Sequence, residues 1–228
     1  MTLTHLVNHW TDSPHWRPGR ELWTFYITIP RDTSAHALVR SYQQTLVGLP
    51  HLDLIQEKWL HATVHGLDFA DEIDPVSAHR IFEEVARAIQ KVALPAMTLE
   101  PPELDTDAIF LPLRPAEPLV EIRNLILDAA DGVLGGRPLH KLPEPTHGFD
   151  PHISIAYANG EVPADDICAR LSSVVHPRIE LQAPTLTLVL LRREDRRWSW
   201  RTARRLVLDG SSHTVRSTQD TSLTVRPA

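Results

Sequence analysis

Two tetrapeptides, His61-Ala62-Thr63-Val64 and His152-Ile153-Ser154-Ile155, constrain this chain of 228 residues more than any other feature. Each lies in a run that alternates as a strand does, Trp59–Leu67 and His152–Tyr157. Residues two apart in a strand face the same way. His61 therefore shares a face with Thr63, and His152 with Ser154, while Ile153, Ile155 and Tyr157 fall opposite. The two histidines stand 91 residues apart, about half of the chain that carries recognisable elements. Both halves also share an order of strand, helix, His-bearing strand, helix and strands. Such a pattern predicts an α+β protein of two lobes, related by a pseudo-twofold axis around a central cleft.

The surrounding sequence fills in that order. Trp23–Ile29 is aromatic and β-branched, as strands are, and Pro30 closes it. Ala35–Leu46 has helical spacing and Leu52–Ile55 is a short extended run. Pro75–Leu94 reads as the longest amphipathic helix, with Ile81, Val85, Ala88, Ile89 and Val92 on one face. Met97–Leu104 and Ala108–Leu113 are expected to be strands. Leu119–Val133 is predicted helical up to Gly135-Gly136, and the loop Arg137–Pro151 leads into the second motif. A helix at Asp165–Val175 and strands at Arg178–Leu181, Thr185–Leu191, Trp198–Trp200 and Ala203–Leu208 complete the domain. The division expected is an N-terminal arm (1–20), a two-lobed domain (21–208) and a disordered Ser/Thr-rich tail (209–228).

Composition removes several function classes. With 23 Lys+Arg against 29 Asp+Glu the net charge is −6, which argues against a protein that coats duplex DNA non-specifically. A single cysteine excludes an intramolecular disulfide and a Cys-rich zinc site. That residue, Cys168, is expected to be a small buried or half-buried residue of a helix. No apolar run reaches membrane-spanning length, and the N-terminus has neither the basic start nor the apolar stretch of a signal peptide. A cytoplasmic monomer without membrane contact is the expectation. There is no Walker A loop, no G-x-G-x-x-G and no G-x-S-x-G.

Two imidazoles and two hydroxyls suit phosphodiester displacement. The entering oxygen must lose a proton and the departing one must gain one, on opposite sides of phosphorus. Imidazoles titrate near neutrality and can serve both transfers. Hydroxyls can donate to the non-bridging oxygens, where charge builds up. Zinc is the sharper rival, since His61 and His65 are four apart. On a strand that spacing separates them by about 13 Å, too far for one ion. Neither metal nor cofactor is expected.

HATV at His61–Val64 and HISI at His152–Ile155, the latter approached by Gly148-Phe149-Asp150-Pro151, resemble the paired H-x-[ST]-x motifs of the 2H phosphoesterase superfamily. The similarity is greatest to its 2′-5′ RNA ligase-like branch, and spans Trp23 to Leu208 in element order. Asn8-His9-Trp10 with Arg17-Pro18-Gly19-Arg20 is also similar to an N-terminal feature of actinobacterial proteins of that branch. The resemblance implies that His61, Thr63, His152 and Ser154 are catalytic, with His152 activating water and His61 protonating the leaving oxygen. It implies hydrolysis of a 2′,3′-cyclic phosphate, at an RNA 3′ end or on a nucleotide, to a 2′-phosphate, with 2′-5′ ligation as the reverse. Hydrolysis of small cyclic nucleotides or cyclic oligonucleotides, and a non-catalytic RNA- or nucleotide-binding module, stay open as alternatives.

Further substrate contacts are expected from Phe25, His65, Tyr157, Trp198, Arg17 and Arg20. Trp23, Trp59 and Trp200 could also stack on bases or simply fill the core. Seven arginines lie between Arg192 and Arg205 against Glu194 and Asp195, a concentration that could draw in a polyanion or sit on a solvated hairpin.

Overall fold

In chain order the elements are β1 (His5–Leu6), β2 (Leu22–Thr28), α1 (Ser34–Leu46), β3 (Leu52–Leu54), β4 (His61–Phe69), α2 (Pro75–Ala88), β5 (Thr98–Leu99), β6 (Glu103–Leu104), β7 (Ala108–Arg114), α3 (Glu117–Leu134), β8 (His152–Ala158), β9 (Val162–Pro163), α4 (Ala164–Leu171), β10 (Ile179–Glu180), β11 (Thr185–Glu194) and β12 (Arg197–Val207). They are those of a computed structural model that describes residues 3–11, 15–92, 95–139 and 148–208. The tail expected at 209–228 lies outside the described residues, as does much of the loop before the second motif.

Local chemistry explains most boundaries. Asp74 caps α2, its carboxylate accepting from the amides of Val76 (2.9 Å) and Ser77 (3.0 Å), and Pro75 opens the first turn. The helix ends earlier than its hydrophobic spacing suggests, passing into a tighter turn at Ile89–Lys91. Gly135 ends α3 in the left-handed conformation (φ 65°), where a side chain would be strained. The stretch Met97–Leu104 is two short strands rather than one, because Pro101-Pro102 cannot donate to a ladder. Conversely, the two strands expected at Trp198–Trp200 and Ala203–Leu208 are one, β12, which ends at Val207 and pairs along its length with β11. Helix α4 stops at Leu171, and Cys168 is exposed on it, not buried. Its neighbours Ile167 and Leu171 are the residues that face the core.

The sheet runs β10-β5-β7-β8-β4-β2-β11-β12, antiparallel at every pairing on that path. Its halves are equivalent about the β4–β8 junction. Each is completed by the other half of the chain: β5 joins β7, and β11 joins β2. The helices cross over in the same sense, α3 lying on β4 and α1 on β8. Lobes that exchange elements in this way cannot be cut apart in sequence. The convex face carries the main core, from Trp23, Phe25 and Ile27 of β2 to Ile122 and Ile126 of α3. On the concave face Leu22, Tyr26, Phe69, Val189 and Leu191 form a smaller cluster, against which Trp16, Trp198 and Trp200 pack.

The N-terminal segment is built into this body. β1 pairs with β9, the His9 amide donates to the Ala158 carbonyl (2.8 Å), and Trp16 meets Phe69 and Trp198 edge-on. It lies across the open side of the concave face.

Candidate active site

Antiparallel pairing brings the two motifs together through their second residues, Ala62 opposite Ile153. One step along one strand is one step back along the other, so His61 lies across from Ser154 and Thr63 across from His152. All four line a single cavity of about 230 Å³.

The histidines are held alike. Nδ1 of His61 donates to the carbonyl of Trp59 (2.8 Å), and Nδ1 of His152 donates to that of Asp150 (2.8 Å). In both lobes the acceptor is two residues upstream, which fixes the tautomer and leaves Nε2 for the cleft. Asp150 is fixed in turn by Arg114, whose guanidinium donates to its carboxylate at 2.7 Å. Each imidazole also packs on an aromatic ring from the next strand. Tyr26 stacks on His61 with ring centres 3.9 Å apart, and Phe110 lies 4.6 Å from His152. These aromatics occupy equivalent places, since Tyr26 pairs with Thr63 and Phe110 with Ser154.

The symmetry is broken in surroundings. His61 is buried, 8% exposed, beneath Tyr26 and Trp200, whereas His152 is only half-buried. Burial pushes the His61 imidazole down to about 4; the carbonyl of Trp59 opposes the change and the facing His152 adds to it. Burial likewise raises the Tyr157 phenol to about 12 and holds the Tyr26 phenol well above its ordinary value, so both remain neutral donors. The Tyr26 hydroxyl lies near Thr63, and that of Tyr157 near Ser154.

Bulges after the motifs decide the remaining contacts. In β4 the register slips so that Phe25 pairs with His65 and Tyr26 with Thr63, leaving Val64 as the extra residue. In β8, Ile109 pairs with Ala156 and Phe110 with Ser154, leaving Ile155. Both bulges fall on the fourth motif residue, and each inverts the alternation beyond it. His65 is therefore turned away from the cleft towards Arg123 of α3, contrary to expectation, while Tyr157 is turned into it. Phe25 is also misplaced by the sequence reading: it is fully buried in the convex core, stacked 6.0 Å from Phe82. Its neighbour Tyr26 has the cleft position.

Trp198 lines the cleft. Arg20 does not. Its guanidinium sits 3.6 Å above the Phe69 ring and donates to Asp71 (3.0 Å) and to the His15 carbonyl (2.9 Å), fastening the N-terminal segment to the end of β4. Arg17 lies exposed at the same surface depression, outside the cleft. The arginine-rich hairpin is largely engaged as well. Arg192 and Arg201 both bind Glu21, at 2.8 and 3.2 Å, and Arg193 donates to the Thr11 carbonyl at 2.7 Å.

Sequence reasoning misses Tyr26, Phe110, His9, Trp10 and Asp107. Trp198 Nε1 donates to Nε2 of His9 (2.9 Å), whose Nδ1 donates to Asp107 (3.1 Å), and His9 stacks on Tyr157 at 4.0 Å. The Asn8-His9-Trp10 string is the available signal, but nothing in it reveals that it folds over the second motif. Among the described residues no cluster of three or more His, Cys, Asp or Glu is arranged to hold a metal, and no helix is long and apolar enough to cross a membrane.

The sequence model of the 2′-5′ RNA ligase superfamily matches residues 30–197, most of the chain and both motifs. The chain belongs to that superfamily. No curated protein matches it significantly. Among solved structures this member of the superfamily is similar to Escherichia coli LigT, in its complex with 3′-AMP, at 14% identity and a TM-score of 0.57, over 83% of this chain and 98% of that one. TT0787 of Thermus thermophilus is similar at 15% identity and a TM-score of 0.56, over 83% and 99% of the two chains. The shared fold is that of the 2H phosphoesterases, a curled antiparallel sheet with helices on its convex side.

Proposed function

We propose that this member of the 2′-5′ RNA ligase superfamily is a metal-independent phosphodiesterase that opens a 2′,3′-cyclic phosphate at an RNA 3′ end or on a nucleotide, giving the 2′-phosphate. One observation carries the reading: two imidazoles, each with Nδ1 tied to the carbonyl two residues upstream, share one cavity with one hydroxyl per motif. E. coli LigT, a protein of the same fold, was crystallised with 3′-AMP, which supports a nucleotide as the ligand.

The step needs two proton transfers. Water attacks phosphorus as one Nε2 takes its proton; the bond to the 3′ oxygen breaks as the other Nε2–H protonates that oxygen. Thr63 and Ser154 donate to the non-bridging oxygens as their charge grows. Burial keeps His61 neutral in the free cleft, so it enters as the proton acceptor, and the more exposed His152 is the donor. That assignment is the reverse of the one the family resemblance implies. A 5′-hydroxyl in place of water, deprotonated by the same base while the same acid protonates the 3′ oxygen, would give a 2′-5′ linkage, with water as the prevailing nucleophile in solution.

The test is turnover of RNA ended by a 2′,3′-cyclic phosphate, at substoichiometric enzyme with EDTA present, with phosphorus NMR of the product. A 2′-phosphomonoester is expected. Binding without turnover would make the cleft a recognition module, and activity restored only by a divalent ion would overturn the two-histidine mechanism.

A further inference from the structure

A second cavity, about 310 Å³ in volume, opens on the other side of His61. Its size is near the lower end of the range for small-molecule sites. It shares His61, Tyr157 and Trp198 with the catalytic cleft, so the two spaces are divided only by side chains that touch both. Its walls are aromatic, with Trp10 and Trp198 tilted at 41° to each other and their ring centres 5.9 Å apart. Trp59 forms another wall, and its indole N–H is buried with no partner among the described residues.

The rim carries two arginines. The β11–β12 hairpin turns through Asp195 and Arg196, both left-handed (φ 51° and 52°). Such a two-residue turn follows the twist of its strands, but neither residue is glycine, so the backbone there is strained. It sets Arg196 and Arg197 on the cavity, together with the carboxylate of Asp195. Asp53 beneath them is already occupied, accepting from Trp10 Nε1 (3.0 Å) and Asn159 (2.8 Å), with Arg196 at 3.6 Å. Arg197 has no ion-pair partner among the described residues.

We infer that this cavity holds a second nucleotide of the substrate, its base stacked against the indoles that line it and its phosphate on Arg197. The inference rests on the proposed reading of the cleft and narrows its substrate class. An aromatic slot suits any base, since each has a π-face, and a guanidinium suits the phosphate that links it to the reacting nucleotide. The substrate is then at least a dinucleotide, one residue at the histidines and one in the slot.

Turnover of adenosine 2′,3′-cyclic phosphate is compared with that of the dinucleotide adenylyl-adenosine ending in the same cyclic phosphate. Binding of adenylyl-adenosine 3′-phosphate is followed separately by tryptophan fluorescence. The dinucleotide is expected to be favoured in kcat/KM by roughly tenfold or more, from one additional stacked base. That ratio falls towards one in Arg197→Ala, and in Gln56→Trp, which fills the slot from an exposed lining position. Equal kcat/KM for the two substrates, or a preference that survives both variants, overturns the inference. If neither substrate is turned over, the catalytic reading falls and fluorescence decides the second site alone. Saturable quenching weakened by both variants supports it; quenching that is absent, or indifferent to both, overturns it.

Discussion

Ala62 and Ile153 face one another across the β4–β8 junction, and each is the second residue of its motif. A pair of equivalent residues on the axis makes the separation of the two histidines a property of the sheet. No loop has to close to bring the four polar side chains together. Sites carried on rigid strands hold catalytic geometry better than sites on loops.

The first prediction concerns the hydroxyls that this junction brings opposite the imidazoles. Thr63→Val and Ser154→Ala are expected to lower kcat by roughly 10- to 1000-fold each, with a smaller effect on KM, because phosphoryl charge grows chiefly in the transition state. Steady-state kinetics on a cyclic-phosphate substrate checks this. A rise in KM at unchanged kcat would mean that the hydroxyls only seat the substrate.

A second prediction follows from what covers His61. The Trp200 ring lies edge-on, 5.0 Å away, and helps to exclude water from the imidazole. Removing it in Trp200→Ala lets water in, and the His61 pKa is expected to climb from about 4 towards the ordinary 6.5. Proton NMR of the imidazole C–H signals, followed through acid titration, reads this directly. A His61 that titrates in the variant where it does in the parent would show that Trp200 contributes nothing to its burial.

The division between what the sequence reveals and what it hides runs through the bulges. Strand parity is a local rule, and it places His61 with Thr63 and His152 with Ser154. Parity fails one residue later, because Val64 and Ile155 each add an unpaired residue. A bulge depends on the partner strand's register, which the bulged strand does not encode by itself. Hence His65 and Tyr157 exchange faces. Phe25 and Tyr26 are a different case: β2 is buried on both sides, yet Thr24, Tyr26 and Thr28 alternate with Trp23, Phe25 and Ile27, and that alternation is the signal that marks its cleft face. The exchange of β5 and β11 between lobes is invisible, being a matter of topology rather than pattern.

The misplaced His65 supplies the third prediction. Its imidazole is held down to about 4 by burial and by the cation of Arg123, and its Nε2 is buried without a partner among the described residues. His61 is likewise near 4. In the unfolded chain both take up protons near 6.5, so between about 6.5 and 4 the unfolded state binds more protons than the folded one. Stability is therefore full above 6.5 and falls as the pH drops to 4, by at most about 3 kcal/mol for each group. His65→Leu fills the same space with an apolar side chain and removes one of these proton sites. Urea midpoints at pH 7 and pH 4.5 are expected to differ less in the variant than in the parent. An equal difference in both would clear His65 of any part in acid sensitivity.

The last prediction separates the two proton roles. A pH–rate profile cannot do so, because a neutral His61 with a protonated His152 and the converse pair carry the same number of protons and rise and fall together. A substrate that needs only one of the two roles can. An aryl phosphodiester with a nitrophenolate leaving group departs without protonation, so it calls for a base and hardly for an acid. Removing either imidazole is expected to cost roughly 10²- to 10⁴-fold on a cyclic phosphate. On the aryl ester His152→Ala is expected to recover most of its loss, and His61→Ala to recover little, since burial makes His61 the acceptor. Recovery in His61→Ala instead would mean that bound substrate protonates His61 despite its burial, and would restore the roles that the family resemblance implies. The negative charge of a phosphodiester seated against Nε2 favours the protonated imidazole, so the same pair of variants also measures whether the ligand's charge or the protein's desolvation governs His61.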